Sequence, residues 1–263
     1  MESLILSLAS FYAFSREYAE VAIHEDDSFT KKDILTIKNI FPWAKLILLK
    51  DADIILRQKG FSEKTINLRH KHKLLIKAID FHHIESRKRV LIIDTDVFFL
   101  KNISELWSKI TEGEKFIFND DREPAYGSSK KLLEKVLGRK LEMNPAPYVN
   151  TGLIVEPSAI LREAKTIIDG YCKEFENFSY QRPHCIEQGF IACFLKNKKV
   201  EECVFSGNHR IIGHQDMPGT GYLKKYDFEN NPDNVETIHL CGWNKLGKDF
   251  GAIRTKLLSF MKK

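Results

Sequence analysis

The feature that most constrains this chain is the stretch from Val90 to Asp96, with the sequence Val-Leu-Ile-Ile-Asp-Thr-Asp. Its run of aliphatic residues indicates a strand buried on both faces, as in the centre of an α/β sheet. The carboxylates of Asp94 and Asp96 lie at alternate positions, so they share one face as the strand ends. Such a pair suits one hard divalent cation, Mg²⁺ or Mn²⁺, which usually serves a phosphate group. The motif is short, and one Asp capping the next helix beside a solvated neighbour explains it equally well.

Strands and helices alternate along the chain. The periodicity predicts helices over residues 3–18, 30–40, 63–83, 128–138, 157–178 and 186–195, and a further one capped by Asn102 and Glu105. Thr30 and Asp33 resemble a capping box at the start of the helix over 30–40, and Gly138 closes the helix over 128–138. It predicts strands over residues 21–24, 45–49, 90–96, 115–118, 148–155 and 236–240. This alternation predicts a doubly wound, mostly parallel α/β sheet flanked by helices, in a single domain over residues 1–263.

Charge and cysteine content limit the classes of partner. The 263 residues carry 41 basic and 36 acidic side chains, and the net charge of +5 suits an anionic small molecule or a membrane surface but is too small to indicate nucleic acid. The five cysteines include no C-x-x-C pair, which argues against a disulfide framework and a zinc site. No export signal or membrane-spanning segment is predicted, so a cytoplasmic location is expected. The basic C-terminal helix fits peripheral contact with the inner face of the membrane, although a solvated helix end is the commoner reason for such charge.

Further landmarks follow the D-x-D motif in order: Asn150-Thr151-Gly152 at the start of a strand, Glu187-Gln188 at the start of a helix, and His239-Leu240-Cys241-Gly242-Trp243-Asn244-Lys245. Together with Asp94-Thr95-Asp96 they resemble glycosyltransferases of the GT-A fold, closest to the retaining family-eight type of glycogenin and the lipopolysaccharide galactosyltransferases. The last segment matches the H-x-x-G-x-x-K motif of that family. Its coincidence with an upstream D-x-D is far more specific than either motif alone.

The resemblance implies a role for each landmark. The metal ligands would be Asp94, Asp96 and His239. The residues that bind the nucleotide sugar would be Asp94, Thr95, Asn150, Gly152, Gly242, Lys245 and a basic residue on the helix before the D-x-D strand, Lys77 in preference to Lys73. Glu187 and Gln188 would lie beside the anomeric carbon, where this family usually has Asp-Gln.

Each of these residues also has a simpler interpretation. Taken alone, His239 fits a core histidine, and the basic run before the D-x-D strand fits a solvated helix face. The pair Asn150 and Gly152 fits an ordinary turn. Glu187 fits a helix N-terminus, which favours acidic residues.

Two departures from the family pattern concern the N-terminal region. Family members begin with a strand ahead of the first helix, whereas here Met1 lies almost at the helix, so the resemblance implies that the usual first strand is missing. The acidic turn Glu25-Asp26-Asp27-Ser28 resembles the D-D-G-S corner that many GT-A enzymes use near the base, with Asp26 in that role, but it lacks the glycine.

The function implied is metal-dependent transfer of a hexose from a nucleotide diphosphate sugar to a hydroxyl of a glycan or a lipid-linked saccharide. The favoured donor is a UDP-sugar. One alternative is a sugar-nucleotide-binding relative without turnover. Another is a haloacid-dehalogenase-type phosphatase, which also places D-x-D at a strand end. That family continues with Gly-Thr, whereas Val97-Phe98 follows here.

Overall fold

The structure is a computed structural model. It describes residues 1–15, 19–84, 87–111, 115–120, 126–142, 149–179, 185–205, 209–212, 236–240, 251, 254, 255 and 258. The helices of these parts are α1 (Glu2–Ser15), α2 (Lys31–Ile40), α3 (Leu49–Gln58), α4 (Glu63–Lys71), α5 (Leu75–His83), α6 (Ser104–Thr111), α7 (Tyr126–Leu137), α8 (Ser158–Glu163), α9 (Lys165–Phe175) and α10 (Ile186–Asn197). The strands are β1 (Ala22–His24), β2 (Lys45–Ile47), β3 (Arg89–Ile93), β4 (Val97–Phe99), β5 (Phe116–Asp120), β6 (Val149–Pro157), β7 (Glu202–Val204), β8 (His209–Ile212) and β9 (Thr237–Leu240).

The sheets are mixed in direction. The largest has the order β3-β6-β5-β7, a second has the order β4-β9-β8, and β1 pairs with β2. The pairs β1/β2, β5/β7 and β8/β9 are parallel, and the pairs β3/β6, β5/β6 and β4/β9 are antiparallel. The predicted α/β class, a sheet flanked by helices, is confirmed.

Strand β6 organises the largest sheet because it hydrogen-bonds β3 on one side and β5 on the other. Its register with β5 jumps from Phe118 opposite Ile154 to Asn119 opposite Asn150. Irregularities of this kind often lie beside functional sites, because they re-aim side chains. Here the irregularity falls on residues 151–153, at the end of β6 that faces the D-x-D segment.

Apolar side chains cover both faces of this sheet. One face packs with helices α5, α7, α9 and α10 through residues such as Ile92, Phe118 and Ile154. The other packs with α1 and α6 through residues such as Leu153 and Val155. Strand β3 is less buried than the sequence predicts, since Ile92 is its one fully buried residue. Among the described strands β3 pairs with β6 alone, so it lies at a sheet edge.

Several helix predictions are confirmed. The capping box of Thr30 and Asp33 is present at the start of α2, with the backbone N–H of each residue donating to the side chain of the other. Helix α7 ends before Gly138, whose φ of 66° is the left-handed conformation that favours glycine after a helix. Asn102 accepts a hydrogen bond from the backbone N–H of Ser104 at 2.8 Å, where α6 begins.

Two predicted long helices are each divided in two. The stretch 63–83 breaks at His72, which leaves helical geometry with φ −119° and ψ 81°, so α4 ends there and α5 begins at Leu75. The stretch 157–178 breaks at Ala164 between α8 and α9. Neither break contains proline or glycine, so packing rather than a local sequence signal separates the helices.

The sequence did not predict α3, β4, β7 or β8. The three strands among them have three or four residues each, too few to establish a periodicity. The predicted strand over 45–49 ends at Ile47, because Leu49 begins α3.

Two of the predicted site residues, Gly242 and Lys245, lie outside the described residues, so their roles stay predictions. Within the described parts, none of the helices combines the length and the apolar character that crossing a membrane requires.

A candidate metal centre and its surroundings

Two carboxylates and an imidazole meet at the end of β3. Asp94, Asp96 and His239 each present a ligand atom, and these atoms lie within 4.8 Å of one another. The Nε2 atom of His239 is 3.4 Å from Asp96 Oδ1 and 3.9 Å from Asp94 Oδ2. Neighbouring ligands of an octahedral Mg²⁺ or Mn²⁺ ion are about 3 Å apart, so small side-chain movements would let these residues bind one. This donor set fits the metal that the sequence predicts.

Backbone pairing between distant segments creates this cluster. The turn from Asp94 to Val97 joins β3 to β4, and the Asp94 carbonyl accepts from the Val97 N–H at 3.0 Å. Strand β9 then pairs antiparallel with β4, which places His239 opposite Val97. The Leu240 N–H donates to the Asp96 carbonyl at 2.9 Å. The histidine is thus anchored to the D-x-D segment by the sheet itself.

Asn150 and Gly152 lie directly against His239. Asn150 Oδ1 is 3.0 Å from His239 Nδ1 and also accepts the Gly152 N–H at 2.9 Å. A Cβ atom at Gly152 would lie 1.9 Å from Cε1 of the His239 ring. The structure therefore gives a reason for glycine at position 152 that the motif did not supply: the imidazole occupies the space of a side chain.

Lys77 is the basic residue that contacts the cluster. Its ammonium lies 2.7 Å from Asp94 Oδ1 and 2.8 Å from Asp94 Oδ2, and 3.3 Å from the carbonyl oxygen of Thr151. Burial by itself lowers the pKa of Lys77, but the carboxylates of Asp94 and Glu187 outweigh it and the pKa lies above its ordinary value. Lys77 is therefore a fixed positive charge beside Asp94. Lys73 lies in the turn that precedes α5.

Glu187 and Gln188 open α10 beneath the cluster. The Thr151 hydroxyl donates to Glu187 Oε1 at 3.0 Å, and the Gln188 side-chain amide donates to the Val149 carbonyl. Burial raises the pKa of Glu187 above its ordinary value, against the opposing effect of Lys77. Glu187 Oε2 is buried and accepts no hydrogen bond from the described residues. One oxygen of this carboxyl group is therefore held by Thr151, while the other has no hydrogen-bond donor among the described residues.

Helix α1 supports the cluster in a way that the sequence pattern did not predict. Its side chains Ser7 and Ser10 are buried. The Ser7 hydroxyl lies 3.4 Å from the Asp94 carbonyl, and the Ser3 hydroxyl donates to the Thr95 carbonyl. The helical spacing of Ser3, Ser7 and Ser10 was the available signal. These serines help to hold the backbone that presents the carboxylates.

The acidic turn after β1 forms a tight corner. Asp26 Oδ1 accepts the Ser28 N–H at 3.2 Å. Asp27 has a φ of 71°, a conformation that most residues avoid and glycine adopts readily. Asp27 stands where the D-D-G-S pattern has glycine, and it adopts the backbone conformation that glycine would adopt there. A role for Asp26 near a nucleotide base stays a prediction.

No known family model matches the sequence, and no curated protein matches it at a significant level. Solved structures do share its fold. The galactosyltransferase LgtC, in complex with donor and acceptor sugar analogues, aligns with 99% of this chain and 90% of its own, at 15% identity and a TM-score of 0.55. An active-site mutant of LgtC, with glutamate in place of a glutamine, aligns with 98% and 91% of the two chains, at 16% identity and a TM-score of 0.56. Mouse xyloside xylosyltransferase 1 in its apo form aligns with 91% of each chain, at 11% identity and a TM-score of 0.51.

Proposed function

We propose, on the premise that this chain has the GT-A fold of glycosyltransferases, that it transfers a hexose from a nucleotide diphosphate sugar to a saccharide hydroxyl in a metal-dependent reaction. The convergence of Asp94, Asp96 and His239 carries the proposal. A fold alone does not determine function, but this cluster supplies the ligand chemistry that a diphosphate-bound cation needs. Mn²⁺ or Mg²⁺ would be held by these residues and would neutralise the charge that develops on the leaving diphosphate.

The chain's own residues would hold the donor around this centre. Lys77 fixes the orientation of Asp94, because it contacts both carboxylate oxygens, and adds a positive charge near the phosphates. Thr95 lies exposed between the two carboxylates, where a nucleotide can reach it. We assign the diphosphate contacts on the C-terminal side to Gly242 and Lys245, and we place the donor sugar along Asn150 and Gly152.

Transfer breaks the bond between the anomeric carbon and the diphosphate oxygen and forms a bond to the acceptor oxygen, whose proton leaves to the diphosphate or to solvent. We place Glu187 and Gln188 beside the anomeric carbon. The Glu187 oxygen that has no hydrogen-bond donor among the described residues can bind a sugar hydroxyl. The active-site glutamine of LgtC, whose mutant has been solved, supports the choice of Gln188. Retention of anomeric configuration belongs to this proposal.

The donor and acceptor are proposed as classes. LgtC is a galactosyltransferase and the mouse neighbour a xylosyltransferase, so the neighbours support a sugar donor without selecting a hexose. We propose a UDP-sugar donor and a glycan or lipid-linked saccharide acceptor, with the reaction in the cytoplasm, where the helix predicted for the basic C-terminal segment would touch the membrane surface. A phosphatase is not supported, because the similar structures described above are glycosyltransferases.

The test is calorimetric titration of UDP into the protein with Mn²⁺ and after chelation of the metal. We expect binding that requires the metal and that Asp96→Asn and His239→Ala abolish without loss of far-UV circular dichroism. Asp51→Asn is the matched control, since it removes an exposed carboxylate on α3. Equal UDP binding with and without metal would contradict the metal centre.

Turnover is tested separately. UDP-sugars are incubated with saccharide acceptors, and UDP release is measured. Release that depends on the acceptor, and that Glu187→Gln reduces while UDP still binds, supports the transferase. Metal-dependent UDP binding without release for any donor would instead support a relative that binds sugar nucleotides without turnover.

A further inference from the structure

The Asn150 side chain has a defined orientation. One of its terminal atoms is 2.9 Å from the backbone N–H of Gly152, and this N–H can only donate. The atom that faces it is therefore the amide oxygen rather than the amide nitrogen. The backbone settles which way the side chain points, a choice that otherwise depends on side chains alone.

The same oxygen determines which nitrogen of the His239 ring carries the proton. Asn150 Oδ1 lies 3.0 Å from His239 Nδ1, and because it can only accept, the proton of this hydrogen bond belongs to Nδ1. In a neutral imidazole one nitrogen carries the proton and the other carries the lone pair. The lone pair therefore lies on Nε2, the nitrogen that faces Asp96 at 3.4 Å and Asp94 at 3.9 Å.

The two carboxylates favour the opposite arrangement, because a proton on Nε2 would point toward them. Distance decides between the two. The contact of 3.0 Å at Nδ1 is a normal hydrogen-bond length, whereas 3.4 Å and 3.9 Å at Nε2 exceed it. The opposite tautomer would also bring the Nδ1 lone pair against the Asn150 oxygen.

We infer that Asn150 is a positioning residue for metal binding: it locks neutral His239 in the tautomer that presents the Nε2 lone pair to the cation. This inference rests on the proposed function only for the use of that lone pair. An acceptor behind a metal-binding histidine commonly has this effect, and its loss typically weakens metal binding by about 10–100-fold. The role is additional to the donor-sugar contact proposed for Asn150.

The experiment measures the tautomer directly, with no metal and no substrate. Protein with ¹⁵N-labelled histidine rings is studied by two-dimensional ¹⁵N–¹H spectroscopy at a pH where the ring is neutral, and His239→Gln identifies the His239 signals. We expect a protonated Nδ1 and an unprotonated Nε2 in the wild type. Asn150→Asp should keep this pattern, because its carboxylate still accepts, whereas Asn150→Ala should shift the proton toward Nε2.

A second readout is the affinity for Mn²⁺, followed by the paramagnetic resonance of the free ion. Asn150→Ala should bind Mn²⁺ about 10–100-fold more weakly than the wild type, and Asn150→Asp should not show this loss. A wild-type ring protonated on Nε2 would overturn the inference even if the alanine variant does not fold. So would an alanine variant that keeps the wild-type tautomer. Absence of Mn²⁺ binding in the wild type, with the expected tautomer, would contradict the proposed function and leave the role of Asn150 in the tautomer intact.

Discussion

Replacing Gly152 by alanine tests how closely the strand backbone and the His239 ring approach each other. The added Cβ would lie 1.9 Å from Cε1, 2.4 Å from Nδ1 and 2.6 Å from Nε2 of that ring. Ordinary van der Waals contact begins near 3.4 Å, so the nearest ring atom must move by about 1.5 Å. The ring cannot move alone, because Asn150 binds Nδ1 and β9 is paired on both sides, with β4 and β8.

We expect Gly152→Ala to cost about 1–3 kcal/mol of unfolding free energy, the usual range for an overpacked core. The affinity for the metal should fall by a larger fraction than the unfolding free energy, since a metal site tolerates ligand displacements of only about 0.2 Å. Urea denaturation measures the first effect, and Mn²⁺-dependent UDP titration measures the second. Gly251→Ala is the matched control, because an added Cβ there meets no atom of the described residues within 4 Å.

A double-mutant cycle isolates the cause. If the clash is with the imidazole, Gly152→Ala should destabilise the wild type but have little effect in a His239→Ala background, where the ring is gone. Equal destabilisation in the two backgrounds would refute the reasoning, since it would locate the cost in the strand backbone. Wild-type metal affinity in Gly152→Ala would refute it independently.

Three further predictions concern other residues. Asp27→Gly should stabilise the protein by up to about 1 kcal/mol in urea denaturation, because glycine adopts the φ of 71° without strain; a lower midpoint would contradict this. Burial raises the pKa of Asp169, but hydrogen bonds from Lys173 and two hydroxyl groups outweigh it and hold the pKa well below its ordinary value. Asp169 therefore stabilises the fold above the unfolded-state pKa of about 4, and this contribution is lost as the pH falls toward the folded-state pKa. Across that acid range, melting curves should show that Asp169→Asn loses less stability than the wild type does. Thr151→Val removes the hydroxyl that donates to Glu187, and the transfer rate should fall by about tenfold or more while calorimetric UDP affinity is retained; an unchanged rate would argue against a role for this hydrogen bond.

The sequence was sufficient wherever the signal was local. The capping box at Thr30, the glycine after α7 and the aliphatic run that became β3 each depend on residues within a few positions of one another. Helical and strand periodicity reflect which face of a segment is buried, so they can be recognised from the residues of that segment alone. The D-x-D, N-T-G and C-terminal histidine motifs, in that order, carry the family resemblance from which the GT-A fold was expected.

Local patterns failed where packing between distant segments decides the outcome. Nothing near His72 or Ala164 signals the end of a helix, yet the chain turns at both residues. The short strands β4 and β8 exist because β9 pairs with them, and their own residues are too few to show a period. The preference for Lys77 over Lys73 came from the family resemblance, and the ion pair with Asp94 supplies its physical basis.

The sequence by itself determined which residue types are available for chemistry: two carboxylates at a strand end, a glycine, an asparagine and a distant histidine. Only the tertiary structure decided that Asn150 faces one nitrogen of His239 while Asp94 and Asp96 face the other, and that Gly152 leaves room for the ring. The physical reason is that ligand geometry depends on distances of a few ångströms between segments far apart in the chain. Strand pairing and core packing set those distances, and no local periodicity records them.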